Sequence, residues 1–520
     1  LSAPVRVRPR AAAARGDWPL FVVLLAWPVL LVAPTGSPMS DSVLLAAIRL
    51  VDDHTFTLSD ERDPTIVLQT EAFDISVRDG RVYSGVGPGA TLLAAPFYRA
   101  VKPVLARFDE SVITNRRFLG YYAPNRRRLQ RDGGGHLKDV YLLQILVAWL
   151  ITAPLLASVA LRMYRCALAR GLDAERGIVI AVSFALGTMA LYYSATYSRP
   201  ALAYGLAFHA VLSLLGTPER PRPGAASCLA AGSFLGIAIA TDYGSAILVA
   251  LTLLFVVPRL SAVSRLQLVL PLLTVLAATG WYHRALFGSP FATPYHFRFY
   301  PSALPRLGVD LTPFRENPAV QIHPPSPAVM LQLCAGSYKG LFLYSPVLLL
   351  GLAGHVRGLR EERGRWFHLY CLGVFASYLT FNATLGRGDP ASARLVWGGL
   401  STLWGPRHLY ATLPFLACGL VAVRTRDRPA RALAWVLLLA ACVLNVLGAM
   451  FSDLMMSASA FSAEAGSPLR FVLRLAMVHG ARVPLLAAHG VPAPAQWVAV
   501  LALVVATVLV CRRELHGRRG

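Results

Sequence analysis

Asp41 is the first residue whose type and place invite chemistry. It stands just behind an apolar run, in Asp41-Ser42-Val43-Leu44-Leu45-Ala46-Ala47-Ile48-Arg49-Leu50-Val51-Asp52-Asp53. A carboxylate held at a membrane surface can take a proton from an acceptor hydroxyl or bind a metal. The plainer reading is a helix N-cap or a solvated residue. Asp52 and Asp53 are neighbours, so on a helix their side chains diverge by more than a quarter turn. Lys339 and Arg407 each precede an apolar run, in Gly336-Ser337-Tyr338-Lys339-Gly340 and in Trp404-Gly405-Pro406-Arg407-His408. A guanidinium grips a phosphate with two parallel bonds, and an ammonium acts as a point charge. Snorkelling toward lipid headgroups is the alternative for both. Asp242-Tyr243 sits in a short turn between apolar runs, as does Tyr193-Ser194-Ala195-Thr196-Tyr197-Ser198-Arg199-Pro200. A charge in so short a turn suggests function more than one in a long loop. Asp79-Gly80 signals a turn, and Tyr83-Ser84-Gly85-Val86-Gly87-Pro88-Gly89 follows it. The glycine amides are able to line an anion site, although a plain surface turn is the simpler reading. There is no P-loop lysine and no His-x-x-x-His or Cys-x-x-Cys, so no metal site follows from spacing. The seven cysteines read as packing residues.

The elements that must position these residues are set by composition. The chain has 520 residues, 55% hydrophobic and 15% charged. Its mean hydropathy is +0.52. The apolar residues fall in blocks, which excludes a soluble enzyme, a disulfide scaffold and a disordered chain and indicates an all-α polytopic membrane protein. The blocks predict about 12 transmembrane helices: 18–34, 141–161, 178–193, 201–215, 226–240, 244–257, 268–281, 340–353, 367–381, 409–423, 432–450 and 497–510. The first is read as an uncleaved helix behind a basic segment, 1–17.

Net charge is +23. A nucleic-acid partner is not implied, because the arginines stand beside apolar blocks, where positive-inside topology accounts for them. With the N-terminus in the cytoplasm, every predicted inner connection is basic: Arg162, Arg165, Arg170 and Arg176; Arg220 and Arg222; Arg259 and Arg265; Arg357, Arg360, Arg363 and Arg365; Arg424, Arg426, Arg428 and Arg431; Arg512 and Arg513. Both termini are then cytoplasmic. The six arginines of 116–131 fall outside, in a long loop where the charge rule weakens.

This topology divides the chain. Segment 35–139 is an outer loop with the candidate catalytic Asp41, and it holds 13 of the 27 acidic residues. Helices two to seven occupy 140–281, a large outer loop 282–338, and helices eight to twelve 339–510 with outer loops 384–408 and 451–495. Residues 511–520 form a cytoplasmic tail. Runs 89–106 and 468–488 are read as helices lying along the outer interface. The long segments are all on the outer side, so chemistry is expected there, with the helices as scaffold.

An acidic residue directly after helix one, a Tyr-Ser-x-x-x-Pro-Gly segment (Tyr83–Gly89) and a late Trp397-Gly398-Gly399…Trp404-Gly405-Pro406-Arg407 segment together resemble the GT-C fold integral-membrane glycosyltransferases. The likeness is to the bacterial branch near the protein mannosyltransferases and the lipid A aminoarabinose transferase, in a group of uncharacterised membrane proteins. It covers most of the chain as architecture and these short pieces as sequence. In that family the catalytic Asp lies in an Asp-Glu-x-x-Tyr-type motif after helix one; Asp41 matches the position, and Asp41-Ser42-Val43-Leu44-Leu45 replaces the motif. The family's Lys-Pro-Pro segment corresponds to Gly85-Val86-Gly87-Pro88-Gly89-Ala90, without the lysine. The resemblance implies an inverting transfer of a sugar from a polyprenyl-phosphate donor to an envelope acceptor (lipid, glycan or protein) at the outer face of a bacterial cytoplasmic membrane. Asp41 is then the base. Lys339, Arg407, His408, Asp242, Tyr243 and Tyr83 are the candidates for binding substrate and lipid phosphate. No resident cofactor is implied, and a divalent metal is left open. The competing expectation is a transporter of a small or lipid-linked solute, since twelve spans with both termini inside is a common carrier topology; no internal repeat is visible, and charges within the spans are few.

Overall fold

All twelve apolar runs form helix in the computed structural model, and the interruptions fall where proline and glycine demand them. The structure describes residues 17–33, 38–60, 74–108, 136–215, 223–297, 323–361, 364–385, 404–423, 428–452, 468–480 and 482–516. The arginine-rich stretch 116–131, the acidic turn at Glu61 and Asp63, and Trp397–Gly399 lie outside them. The first run is Trp18–Leu30. The second is continuous from Leu137 to Ala169, with one π-turn at Ala148–Thr152. The run predicted at 340–353 divides into Leu341–Tyr344 and Val347–Gly358, because Pro346 cannot continue the first helix. The run predicted at 409–423 is a 3-10 turn, a short α-helix and a second 3-10 turn, Arg407–Thr412, Leu413–Cys418 and Gly419–Ala422. One long helix is capped at both ends. Ser261 accepts from the Ser264 amide at the start of Ala262–Phe287, and Gly288 closes that helix at φ +80°.

Among the described residues four helices are long and apolar enough to cross a membrane: Lys138–Ala169, Ala262–Phe287, Arg428–Met450 and Ala493–Leu515. Five shorter apolar helices accompany them: Trp18–Leu30, Arg199–Leu215, Ala225–Thr241, Ser245–Arg259 and Val347–Gly358. The long helices turn apolar side chains outward. Leu266, Leu270 and Leu273, then Leu433, Val436 and Leu439, then Val498, Leu501 and Val505 are all exposed. In water such faces would be costly, whereas against lipid tails they are the expected covering of a multi-pass bundle. Inside, Tyr164, Phe208, Tyr370 and Phe415 pack in one continuous core.

One end of the bundle carries a second, smaller layer, in which the surface helix expected at 89–106 is joined by a sheet that the helix pattern did not foretell. Helix Pro38–Asp52 packs on helix Gly89–Leu105, and between them in sequence lies a three-stranded sheet: β1, Thr57–Asp60; β2, Ile75–Arg78; β3, Arg81–Ser84. The strand order is β1-β3-β2, all antiparallel. Arg78 pairs with Arg81 across Asp79-Gly80, whose φ values are +51° and +74°. Positive φ at both central residues is the type I′ hairpin turn, which suits the right-handed twist of the strands. Asp52 and Asp53 do diverge. Asp52 accepts from Tyr98 at 3.0 Å and from Lys102 at 2.7 Å, while Asp53 pairs with Arg49 at 2.7 Å. Asp52 thereby ties the two surface helices together.

The opposite end carries polar ties between distant parts of the chain. Arg165 Nε donates to Asp17 Oδ2 at 3.1 Å, and the Tyr164 hydroxyl donates to Glu514 Oε2 at 3.3 Å. The start of the first helix and the end of the last therefore lie at one end. Arg170 stacks over Phe367 and Arg259 over Trp366 at that same end.

Candidate functional site

At the other end the sheet organises a loop, and the loop organises a cationic cluster. Ser76 Oγ of β2 donates to the Pro294 carbonyl at 2.7 Å. Arg78 Nη1 donates to the Leu286 carbonyl at 3.4 Å and its guanidinium lies 5.6 Å over the Phe297 ring. Segment 288–297 is thus held down, and Tyr295 on it accepts a hydrogen bond from Arg199 Nη1 at 3.3 Å. Arg199 opens helix Arg199–Leu215 and is buried. Its electrostatic surroundings are Tyr295, Asp242 and Asp74. Arg407, half-buried, sits among Tyr193, Arg199, Tyr295 and Asp242. Lys339 is fully buried; that burial, and then the nearby Arg407, push its ammonium pKa well below the ordinary lysine value. Three basic side chains from three distant segments therefore share one region.

Asp41 enters the region through its flanks. It lies in the first turn of Pro38–Asp52 and is buried. Ser40 Oγ donates to the Tyr197 carbonyl at 2.9 Å, and Ser42 Oγ shares a hydrogen bond of 3.1 Å with Ser84 Oγ. Tyr197 is two residues before Arg199. Ser84 precedes Gly85, whose amide donates to the Asp74 carbonyl at 2.7 Å. The carboxylate is thus on the helix turn pinned between the Arg199 segment and the Asp74 segment.

Asp242 and Tyr243 lie where expected, in the turn after Ala225–Thr241. Asp242 Oδ1 accepts from the Gly244 amide at 3.0 Å, which fixes the turn. The Tyr243 hydroxyl donates to His283 Nε2 at 2.8 Å; His283 Nδ1 lies 3.2 Å from the Pro290 carbonyl, which only accepts, so Nδ1 carries the proton. Burial holds the Tyr243 hydroxyl protonated well above the usual phenol range. Below these groups Tyr204, Tyr378 and Tyr410 pack ring against ring. His408 is half-buried in the Arg407–Thr412 turn, where its carbonyl accepts from Asn382 Nδ2 at 3.3 Å.

Tyr83 lies in packing beside this region, and the surface-turn reading of the glycines after it is corrected. Tyr83 is buried against Phe287 (ring centroids 5.5 Å apart), in an aromatic cluster with Tyr282, and its described contacts are those of packing. The glycines after it do not form a surface turn. A Cβ on Gly87 would lie 2.2 Å from the Ala240 carbonyl oxygen, and one on Gly89 would lie 2.7 Å from the Thr241 nitrogen. The segment is pressed against the end of helix Ala225–Thr241, and glycine is there for close approach.

Arg199, Tyr295 and Asp74 are the residues that sequence reading did not place in the site. Arg199 had a signal, an arginine before proline in a short outer turn. Tyr295 and Asp74 had none, since only the sheet brings them in. Among the described residues no group of three His, Cys, Asp or Glu side chains gathers as a metal centre would require.

No family model and no curated protein matches the chain. Among solved structures it is similar to ArnT from Cupriavidus metallidurans bound to undecaprenyl phosphate, with 15% identity over 97% of this chain and 79% of that one and a TM-score of 0.43. It is also similar to the archaeal oligosaccharyltransferase AglB from Archaeoglobus fulgidus, in complex with an inhibitory peptide and a dolichol-phosphate, with 15% identity over 85% of this chain and 56% of that one and a TM-score of 0.38.

Proposed function

We propose that the protein transfers a sugar from a polyprenyl-phosphate-linked donor to an envelope acceptor at the outer face of the cytoplasmic membrane. One observation carries the reading: Arg199, Arg407 and Lys339 gather at a single end of the bundle, where the Asp41 turn is pinned against the same segments. A polyprenyl lipid does not leave the bilayer readily, so its phosphate arrives at that depth. Arg407 and Lys339 meet the phosphate, and Arg199 adds a third positive charge. Asp41 takes the proton of the acceptor hydroxyl. The acceptor oxygen then attacks the anomeric carbon as the carbon–oxygen bond to phosphate breaks. The polyprenyl phosphate leaves with the electron pair, and the cations balance its charge.

The test is turnover in nanodiscs with a panel of polyprenyl-phosphate sugars and extracted envelope acceptors, followed by mass spectrometry. Asp41→Asn is expected to lower turnover by about 10²–10⁴-fold, the range for loss of a general base. Arg407→Ala is expected to raise the donor KM. Equal turnover in wild type and Asp41→Asn would move the base elsewhere. Absence of turnover with every donor, together with solute uptake into proteoliposomes, would establish the transporter. Loss of turnover on chelation would bring in a divalent ion.

A further inference from the structure

Lys339 and Arg407 reach the site on separate segments, and neither segment's own backbone fixes one relative to the other. What joins them is a buried amide on a third element. Asn445 lies on helix Arg428–Met450 and is fully buried. Its Oδ1 accepts the Trp404 indole N–H at 2.9 Å. Its Nδ2 donates to the Tyr344 carbonyl at 2.8 Å and to the Ala441 carbonyl at 2.9 Å. Both amide protons and the carbonyl are thereby engaged.

Each arm continues to a cation. On one side the Tyr344 hydroxyl donates to the Tyr338 carbonyl at 2.9 Å and accepts from the Leu469 amide at 3.2 Å. Tyr338 is the residue before Lys339, whose ammonium lies 5.6 Å over the Tyr338 ring. On the other side Trp404 begins the turn that delivers Arg407. Gly405 sits at φ +65°, and its carbonyl accepts from the Arg407 amide at 3.1 Å. The Trp404 carbonyl accepts from the Tyr193 hydroxyl at 3.1 Å. The two arms also touch, since the Trp404 and Tyr344 rings meet edge to face at 4.7 Å. Gly448 seats the indole: a Cβ there would lie 2.4 Å from the Trp404 ring.

A helix in an apolar bundle does not need an amide for its own backbone, and here the amide serves the Trp404 indole N–H and the Tyr344 carbonyl of two other segments. The geometry points to a specific use. We infer that Asn445 is a positioning residue, a clamp whose amide holds the Tyr344 and Trp404 segments in one register so that Lys339 and Arg407 face a single phosphate. The phosphate rests on the proposed function, and the clamp does not.

The test uses the full chain in nanodiscs. The sequence has only three lysines, Lys102, Lys138 and Lys339, so competitive amine acetylation read by mass spectrometry reports each one. Lys102 is half-exposed and paired with Asp52, and it serves as the internal standard. Wild type is expected to protect Lys339 strongly relative to Lys102. Trp404→Phe is expected to raise Lys339 acetylation about tenfold, the effect of one lost buried hydrogen bond, and Asn445→Leu, which removes both arms of the clamp, by more. The pH profile of Lys339 should move toward that of an ordinary lysine, with Lys102 unchanged. An unchanged Lys339 profile in both variants would overturn the clamp. So would a parallel rise at all three lysines, which would mean that the amide merely holds the fold together. In the turnover assay both variants should raise the donor KM and spare kcat. Turnover absent in wild type, alongside a shifted Lys339 profile in the variants, would refute sugar transfer and leave the clamp standing.

Discussion

A methyl group on Gly87 has nowhere to go. The Ala240 carbonyl oxygen lies 2.2 Å from where it would be, and that carbonyl belongs to helix backbone that cannot rotate aside. Gly87→Ala is therefore expected to cost about 1–3 kcal/mol by overpacking. The cost reaches the site, because this stretch carries the chain from β3 to helix Gly89–Leu105 and its near end, Gly85, is bonded to the Asp74 carbonyl. A thermal melt in detergent checks it, and a melting temperature equal to wild type would mean that the two backbones separate easily. The same glycines show the limits of the sequence at this scale. A Gly-x-Gly-Pro-Gly stretch signals turns, and only the neighbouring helix end reveals close approach. Asp41, Asp242, Lys339 and Arg407 drew notice in the sequence because charge beside an apolar run is rare, and the structure places Lys339, Arg407 and Asp242 in one region. The packing of Tyr83 on Phe287 was not legible, because the two are brought together only by the fold.

Elements were legible in proportion to their length. Each of the twelve apolar runs holds helix, in one piece or in several, since a block of that kind has few other ways to satisfy its backbone in lipid. The proline breaks moved ends without removing elements. The sheet was not legible, because its strands have four residues each, too few for an alternating pattern to stand out. Only the Asp79-Gly80 turn betrayed it. That sheet is what fastens the Tyr295 loop, so its turn is open to a direct test. A Cβ on Gly80 meets nothing within 4 Å, so Gly80→Ala isolates the conformational cost of φ +74°. The expected loss is about 1 kcal/mol. Asp79→Asn should be close to neutral, because asparagine tolerates the left-handed region and the Arg78–Asp79 pair it removes, at 3.1 Å, is solvent-exposed. Equal losses in the two variants would mean that the Arg78–Asp79 pair, and not the backbone, holds the turn.

At the scale of the whole molecule the two ends differ in kind. One end gathers Asp17, Arg165, Arg170, Arg259 and Glu514, the start and finish of the bundle and its short basic connections. The other gathers the Asp41 helix, the sheet, the Tyr295 loop and the three cations. Alternating helices alone would give both termini on one side, and the basic turns then choose which side faces the cytoplasm. The charge rule predicts that the Asp17 end is inside, and polyprenyl-phosphate chemistry at the outer face depends on that choice. Asp79 and Asp173 are exposed markers of the two ends, with side chains 82% and 63% accessible. Asp79→Cys and Asp173→Cys, each in a background with the seven native cysteines replaced by alanine, can be treated with a membrane-impermeant maleimide. In right-side-out vesicles the cysteine at 79 should label and the one at 173 should not, and inverted vesicles should reverse the pattern. Labelling of 173 from outside would turn the cation cluster toward the cytoplasm, and a transferase at the outer face would then be untenable even if the cluster binds phosphate. Labelling of both from the same side would break the alternation itself, and with it the odd number of crossings that separates the Tyr83–Gly89 segment from the Asp173 turn.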